Sequence, residues 1–395
     1  MSEIKVNSIK GVGASTPAIS IDNASGTCTA NITNNLSNRN LIINGAMQVA
    51  QRGTSATVAS NGYWTVDRFK HVTQGNDEQP TSAQVDVASG TTPYTLGFRK
   101  AIKITNGNQT SGAGSSDRVR FGQDIEAQDI ANSGWNYADP NSKITLSCWV
   151  KSSVAQNFYF NVKTHDGTQQ NFPFETGSLT ADNWTKITKT ISGNSNLQFD
   201  NNTSTGLEVR FNLFLGTDFT DNGVSLDTWA AYAGGTHCPD FGSANDDWYL
   251  TNDATFEMTG LQIEVGSVAT DFEHRSFAQE LALCYRYYYR ESIENTEYFN
   301  GLGKADSDGN SVDLNLKFPV TMRTTPTAVE QAGSGTNYLI RGSSTLQCTG
   351  VPTYGDATQH SATIRFTRSS HGISTNNVAN CGAWGASFLG FSAEL

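Results

Sequence analysis

Leu207-Glu-Val-Arg-Phe-Asn-Leu-Phe-Leu215 decides how the chain folds. Leu207, Val209, Phe211, Leu213 and Leu215 alternate with Glu208, Arg210, Asn212 and Phe214. A period of two sends successive side chains to opposite faces of a β-strand, here one apolar face and one largely polar. The same alternation recurs where Phe158, Phe160 and Val162 interleave with Tyr159, Asn161 and Lys163. Working outward, strands are expected over 64–72, 83–88, 96–105, 118–125, 143–151, 183–191 and 255–265. Near Gly260 the apolar parity changes, from Phe256 and Met258 to Leu261, Ile263 and Val265, which predicts a β-bulge. Short strands separated by Gly, Asn and Asp turns imply an antiparallel β-sandwich from roughly residue 60 to 275.

The flanks read differently. The opening MSEIKVNSIKGVGASTPAISIDNASGTCTANITNN is poor in aromatics and rich in Ser, Thr, Asn and Gly. Such a segment buries too little apolar surface to order itself alone. Beyond the sandwich, Ser276-Phe-Ala-Gln279 is a capping box, followed by Phe277, Leu281, Cys284 and Tyr288 at helical spacing. Val312, Leu314, Leu316, Phe318, Val320 and Met322 then alternate again, with Pro319 interrupting the ladder. Further strand-like pieces at 338–341, 362–367 and 386–391 complete a smaller sheet domain. The expectation is an all-β protein: an extended N-terminal segment over 1–40, a sandwich domain over 41–275, a linker helix and tyrosine-rich strand over 276–290, and a C-terminal β domain over 291–395.

Composition narrows the function. The chain has 395 residues, of which only 16% are charged, and a net charge of −11. Phosphate binding needs clustered Lys and Arg, so nucleic acid is not an expected partner. The start has no apolar h-region and no apolar run is long enough to span a bilayer, so neither Sec export nor membrane insertion is expected. Cys28, Cys148, Cys238, Cys284, Cys348 and Cys381 lie far apart and read as reduced thiols.

Motifs for chemistry are weak. There is no P-loop, HExxH or GxSxG, the six histidines are scattered, and no catalytic residue or cofactor is expected. The carboxylates Asp124, Glu126, Asp129, Asp246, Asp247, Glu257 and Glu264 could in principle supply a glycosidase pair, but solvated turns and outward strand positions explain them more simply. The turns at 218–223 and 245–247 offer oxygen ligands for calcium without EF-hand spacing, and ordinary Asx turns are preferred there. Loop aromatics are the stronger signal. Trp135, Tyr137, Trp229, Tyr232, Trp248 and Tyr249 are candidates for stacking on a glycan, or for contact between subunits. In Leu281-Ala-Leu-Cys-Tyr-Arg-Tyr-Tyr-Tyr-Arg290, a strand starting at Tyr285 would put Tyr285, Tyr287 and Tyr289 on one face and Arg286, Tyr288 and Arg290 on the other. A seam between domains or subunits is preferred there over a glycan platform.

Several stretches carry a resemblance. Asn40-Leu-Ile-Ile-Asn-Gly-Ala-Met-Gln48, Gln51-Arg-Gly53 and Tyr63-Trp-Thr-Val-Asp-Arg-Phe69 resemble the opening of a carbohydrate-binding-module-like jelly roll in tail fibre and receptor-binding proteins of tailed bacteriophages, especially marine and cyanobacterial ones. Phe69 stands where that family usually has Trp. Segments 261–273, 274–289 and 318–326 are similar to the closing segment, linker and C-terminal opening of the same proteins, and SEIKVNSIKG to their virion-attachment peptides. The resemblance implies a structural virion protein made in the host cytoplasm, a homotrimer anchored to other virion proteins through its N-terminal segment, and a host-surface glycan as partner. The alternatives are a tail or capsid decoration or adaptor protein without receptor contact, and a polysaccharide depolymerase, although no β-helix repeat is present.

Overall fold

The computed structural model describes residues 8–10, 12, 19–21, 28–30, 39–243, 245–293, 297–307 and 309–395. The expected attachment peptide lies mostly outside them; within 1–40, Ser8–Ile9, Ile19–Ile21 and Cys28–Ala30 pair as a small antiparallel sheet. Among the described residues no helix is long and apolar enough to cross a membrane.

Two antiparallel sheets form the sandwich. One has six strands, in the spatial order Thr185–Ser192, Lys143–Ser152, Thr255–Val265, Lys100–Thr105, Thr81–Asp86 and Ser55–Thr57. The other has seven, in the order Ala230–Ala231, Gln170–Glu175, Tyr159–Thr164, Thr205–Leu215, Arg118–Glu126, Lys70–Gln74 and Gly62–Tyr63. Leu207, Val209, Phe211 and Leu213 meet Ile144, Leu146, Phe256, Met258 and Ile263 between the sheets, all fully buried. The alternation is thus a core on one face. Phe214 leaves the polar set because the pairing with Arg118–Glu126 shifts register there, and its ring stacks on Tyr249 at 4.1 Å. The bulge near Gly260 is present: the ladder between Lys143–Ser152 and Thr255–Val265 slips between Ser147 and Trp149, and Gly260 has φ +67°. The strand expected over 64–72 forms only at its end, over 70–72. Arg68 has φ +72°, a left-handed turn that ends the extended run, and pairing resumes only at Lys70–Gln74.

The capping box forms as expected: Ser276 accepts from Gln279 N, Gln279 reaches back to Ser276 N, and the helix runs Phe277–Tyr285. The C-terminal region folds into a three-stranded sheet (Tyr288–Ile293, Ser387–Ser392, Glu330–Gln331) and a larger antiparallel sheet around Ser311–Lys317 and Ser361–Thr367, with its own apolar core. The expected strand from Tyr285 is corrected: Arg286 and Tyr287 make a turn and the strand starts at Tyr288. The alternating faces are corrected with it, because Tyr287 points into the sandwich while Tyr289 enters the C-terminal core against Phe318 and Phe391.

That turn is the joint between the two parts. Glu126, with no side-chain exposure, accepts from Arg286 Nε and Nη2 at 2.7 and 2.8 Å and from Tyr287 Oη at 2.6 Å. The Arg68 and Arg52 guanidiniums lie 3.4 and 3.5 Å from the ring centres of Tyr287 and Tyr288, and both arginines pair with Glu394. Gln51 donates to Tyr288 O and accepts from Arg290 N. Tyr285 packs edge-on against Tyr289, and Arg290 lies over Phe388. The tyrosine-rich stretch is therefore a seam inside one chain. Burial opposes the charge on Glu126, but Arg286 and Tyr287 hold its carboxyl below the usual range. Its contribution is complete above the unfolded carboxylate value and is lost as pH falls through the lowered folded one. Glu126→Gln should cost about 2 kcal/mol or more in urea denaturation near neutral pH, since a buried ion pair loses one partner. A loss below about 0.5 kcal/mol, the level of an ordinary surface change, would refute the seam.

Candidate functional site

The strand 205–215 carries the candidate site on its outer face. Adjacent strands align Asp124, Glu208, Lys163 and Asn171 in one row across the seven-stranded sheet, with Arg210 and Asn161 in the next and Arg120 and Asn212 beyond. These outward-facing side chains are polar or charged, and they bind one another. Glu208 accepts from Arg120 Nη2 at 2.8 Å and from His165 Nε2 at 3.2 Å, with Lys163 Nζ and Arg210 Nη2 each 3.7 Å away. Arg210 Nη2 donates to Asp124 Oδ1 at 2.5 Å, and Lys70 Nζ donates to Oδ2 at 3.2 Å. Asn212 Nδ2 donates to Asn161 Oδ1, and Asn161 Nδ2 to Asn171 Oδ1.

A loop from the far edge leans over this row. Tyr232 Oη lies 3.2 Å from His237 Nε2, which also meets Arg120 Nη1 at 2.9 Å, and Lys163 Nζ sits 4.5 Å from the centre of the Tyr232 ring. Burial opposes ionisation of Glu208, yet Arg210 and Arg120, with His165 and Lys163, hold its carboxyl well below the usual range. Burial lowers Lys163, aided by Arg120 and Arg210, against the attraction of Glu208. In this network four cations, Lys70, Arg120, Lys163 and Arg210, stand against two carboxylates, Asp124 and Glu208, with Arg118 also near Tyr232, on a chain of net −11; Lys70 Nζ also donates to Leu395 O at 3.0 Å. Its accessible tips are Lys70 and His165, each between a quarter and a third exposed, and the half-buried Tyr232.

The six loop aromatics divide. Trp135, Trp248 and Tyr249 are corrected as glycan candidates: they are buried, because the loops fold back over the open end of the sandwich and their rings extend its core. Tyr249 donates to Asp117 Oδ2, and Trp135 packs on Phe199. Tyr137 and Trp229 are half-buried against that core, Trp229 donating to Ser192 O at 2.8 Å. Only Tyr232 joins the polar row. Sequence reasoning missed Arg120, Lys163, Glu208 and Arg210 as a site; the signal was charge at alternate positions of paired strands in a chain otherwise poor in charge.

The other carboxylates are tied elsewhere, Glu126 in the seam, Glu257 on Lys151 at 3.0 Å and Glu264 on Thr270. Asp221 closes an Asx turn on Gly223 N. Among the described residues no group of three or more His, Cys, Asp or Glu is arranged to hold a metal ion, and Cys148, Cys238, Cys284, Cys348 and Cys381 are unpaired.

No protein-family model and no curated protein matches the chain. Among solved structures, it is similar to the enzymatically active domain of tailspike protein 4 of bacteriophage CBA120 (9% identity, TM-score 0.29), covering 57% of this chain and 21% of that one. It is also similar to a CBM4 structure (13%, TM-score 0.28; 56% and 98% covered) and to a putative sugar binding protein from Bacteroides thetaiotaomicron (15%, TM-score 0.29; 58% and 100% covered). The chain thus spans about a fifth of the tailspike domain. At these TM-scores the likenesses carry no argument about fold or function.

Burial, with Arg120 beside it, drives His237 down to about 2, and burial, with Arg210, drives His71 down to about 3. Both are neutral in the fold, whereas an unfolded histidine titrates near 6.5. As pH falls the unfolded chain takes up protons first, so the stability is complete above about 6.5 and drains away below it. By about pH 5 each histidine should account for about 2 kcal/mol of lost stability. Denaturant unfolding across this range checks it, and His237→Gln should flatten the slope.

Proposed function

We propose that the chain is a non-catalytic structural subunit of a tailed-phage virion that attaches to an acidic glycan of the host surface through the polar face of its seven-stranded sheet. The observation that carries the reading is the cluster of cations Lys70, Arg120, Lys163 and Arg210 on that face, with the Tyr232 ring at its edge. Carboxylate, sulfate or phosphate groups on sugars suit such cations, and a half-buried ring suits their C–H faces. The lowered Glu208 is unsuited to be a glycosidase's general acid, which must hold its proton at working pH. The virion role, trimeric state, cytoplasmic assembly and N-terminal anchoring rest on the sequence resemblance alone.

A decoration or adaptor protein without receptor contact is the second reading. The burial of Trp135, Trp248 and Tyr249, which removes half of the aromatic candidates from solvent, favours it.

Binding to purified host envelope polysaccharides separates the two. The attachment reading expects an acidic polysaccharide to bind, binding to weaken as salt rises, and Lys163→Ala or Tyr232→Ala to lower affinity about tenfold. No binding, or binding indifferent to both variants and to salt, would favour decoration. Release of reducing ends would point to a depolymerase.

A further inference from the structure

On the other side of the sandwich, the bulge predicted from sequence opens a second site. Gly260, in its left-handed conformation, has no side chain to fill the outer surface, and a Cβ there would come within 2.6 Å of the Phe98 ring. Phe98 caps the gap, and the segment following Thr255–Val265 folds back over it. Phe272 meets Phe98 edge-on at 4.9 Å, His274 lies 5.0 Å from Phe98, and His274 Nε2 donates to Leu96 O at 2.9 Å. Between this flap and the outer face of Lys143–Ser152 lies a cavity of about 220 Å³.

Its lining mixes two chemistries. Phe98, Phe272 and Trp149 supply rings, while Ser147, Lys186 and Asp271 bring hydrogen-bonding groups. Ser147 is only 6% exposed, and no hydrogen bond within the described residues ties up its hydroxyl. A purely apolar guest would leave that hydroxyl unpaired. A sugar ring would present C–H faces to the aromatics and hydroxyls to Ser147 and the rim. One cationic and one anionic side chain at the rim favour a neutral guest. The volume lies below the roughly 300–1,000 Å³ of drug-sized sites, which limits the guest to a single small ring.

We infer that this cavity binds one neutral monosaccharide unit, independently of the charged sheet face on the opposite side. It goes beyond the attachment reading, because it names a second site, of different ligand chemistry, that stands if the first fails.

The test is a two-dimensional NMR titration of the full chain with D-glucose, D-galactose, D-mannose and L-rhamnose, with phenol as an apolar control. At least one sugar should shift the Trp149 indole and Ser147 amide signals at millimolar concentration. Ser147→Leu, which fills the cavity, and Trp149→Ala, which removes a wall, should each weaken that response about tenfold. Lys163→Ala should leave it unchanged, which separates this site from the sheet face. Melting temperatures of the two cavity variants report folding, and either folded variant suffices. No shift with any sugar, a response to phenol alone, or a sugar response surviving in a folded cavity variant would overturn the proposal.

Discussion

A single buried carboxylate joins the two halves of this protein. Glu126 ends the strand Arg118–Glu126 with no exposure, and an unpaired charge there would cost several kcal/mol. Gln128 Nε2 gives it one hydrogen bond from within the sandwich at 2.7 Å, and Arg286 and Tyr287 supply three more, with the cation that pairs with it, from the linker, so the charge is compensated only when the C-terminal part is docked. Arg68 and Arg52 then seal the seam by stacking on the tyrosines, and their pairing with Glu394 offsets the desolvation that burial imposes on them.

The segments that carry the sequence resemblance converge here. Asn40 accepts from Ile263 N and donates to Leu261 O, tying the opening stretch to the closing one. Gln51, Arg52 and Arg68 meet the tyrosines, while Arg323, in the segment 318–326, donates its guanidinium to Ala393 O and to Thr203 O and its backbone N–H to Arg286 O. These motifs are architectural, so they announce how the chain is joined without naming a ligand. The same strand links joint to surface: Asp124 offers its carbonyl to Arg68 and its carboxylate to Arg210 and Lys70.

Much of the fold was legible where local pattern and final burial coincide. The alternation at 207–215, the parity change at Gly260 and the capping box at Ser276 depend on short-range geometry, and each formed. The aromatics at 135, 248 and 249 were misread because a ring in a loop looks the same in sequence whether the loop projects or folds back over a core. The charged row was illegible for a related reason. Arg120, Lys163 and Glu208 come from three strands, and only the register places them together. Tyr287 was grouped with Tyr289 because 286–287, read as strand, form a turn that sends Tyr287 toward the sandwich, whereas Tyr288 and Arg290 do share a face.

The most direct test of the account is scanning calorimetry of the 395-residue chain, followed in parallel by tryptophan fluorescence, six of whose seven reporters lie at positions 64 to 248. A seam built on Glu126 predicts one transition, at the same midpoint by both methods, because neither half is satisfied without the other. Two separated transitions, with the fluorescence following only one of them, would contradict it.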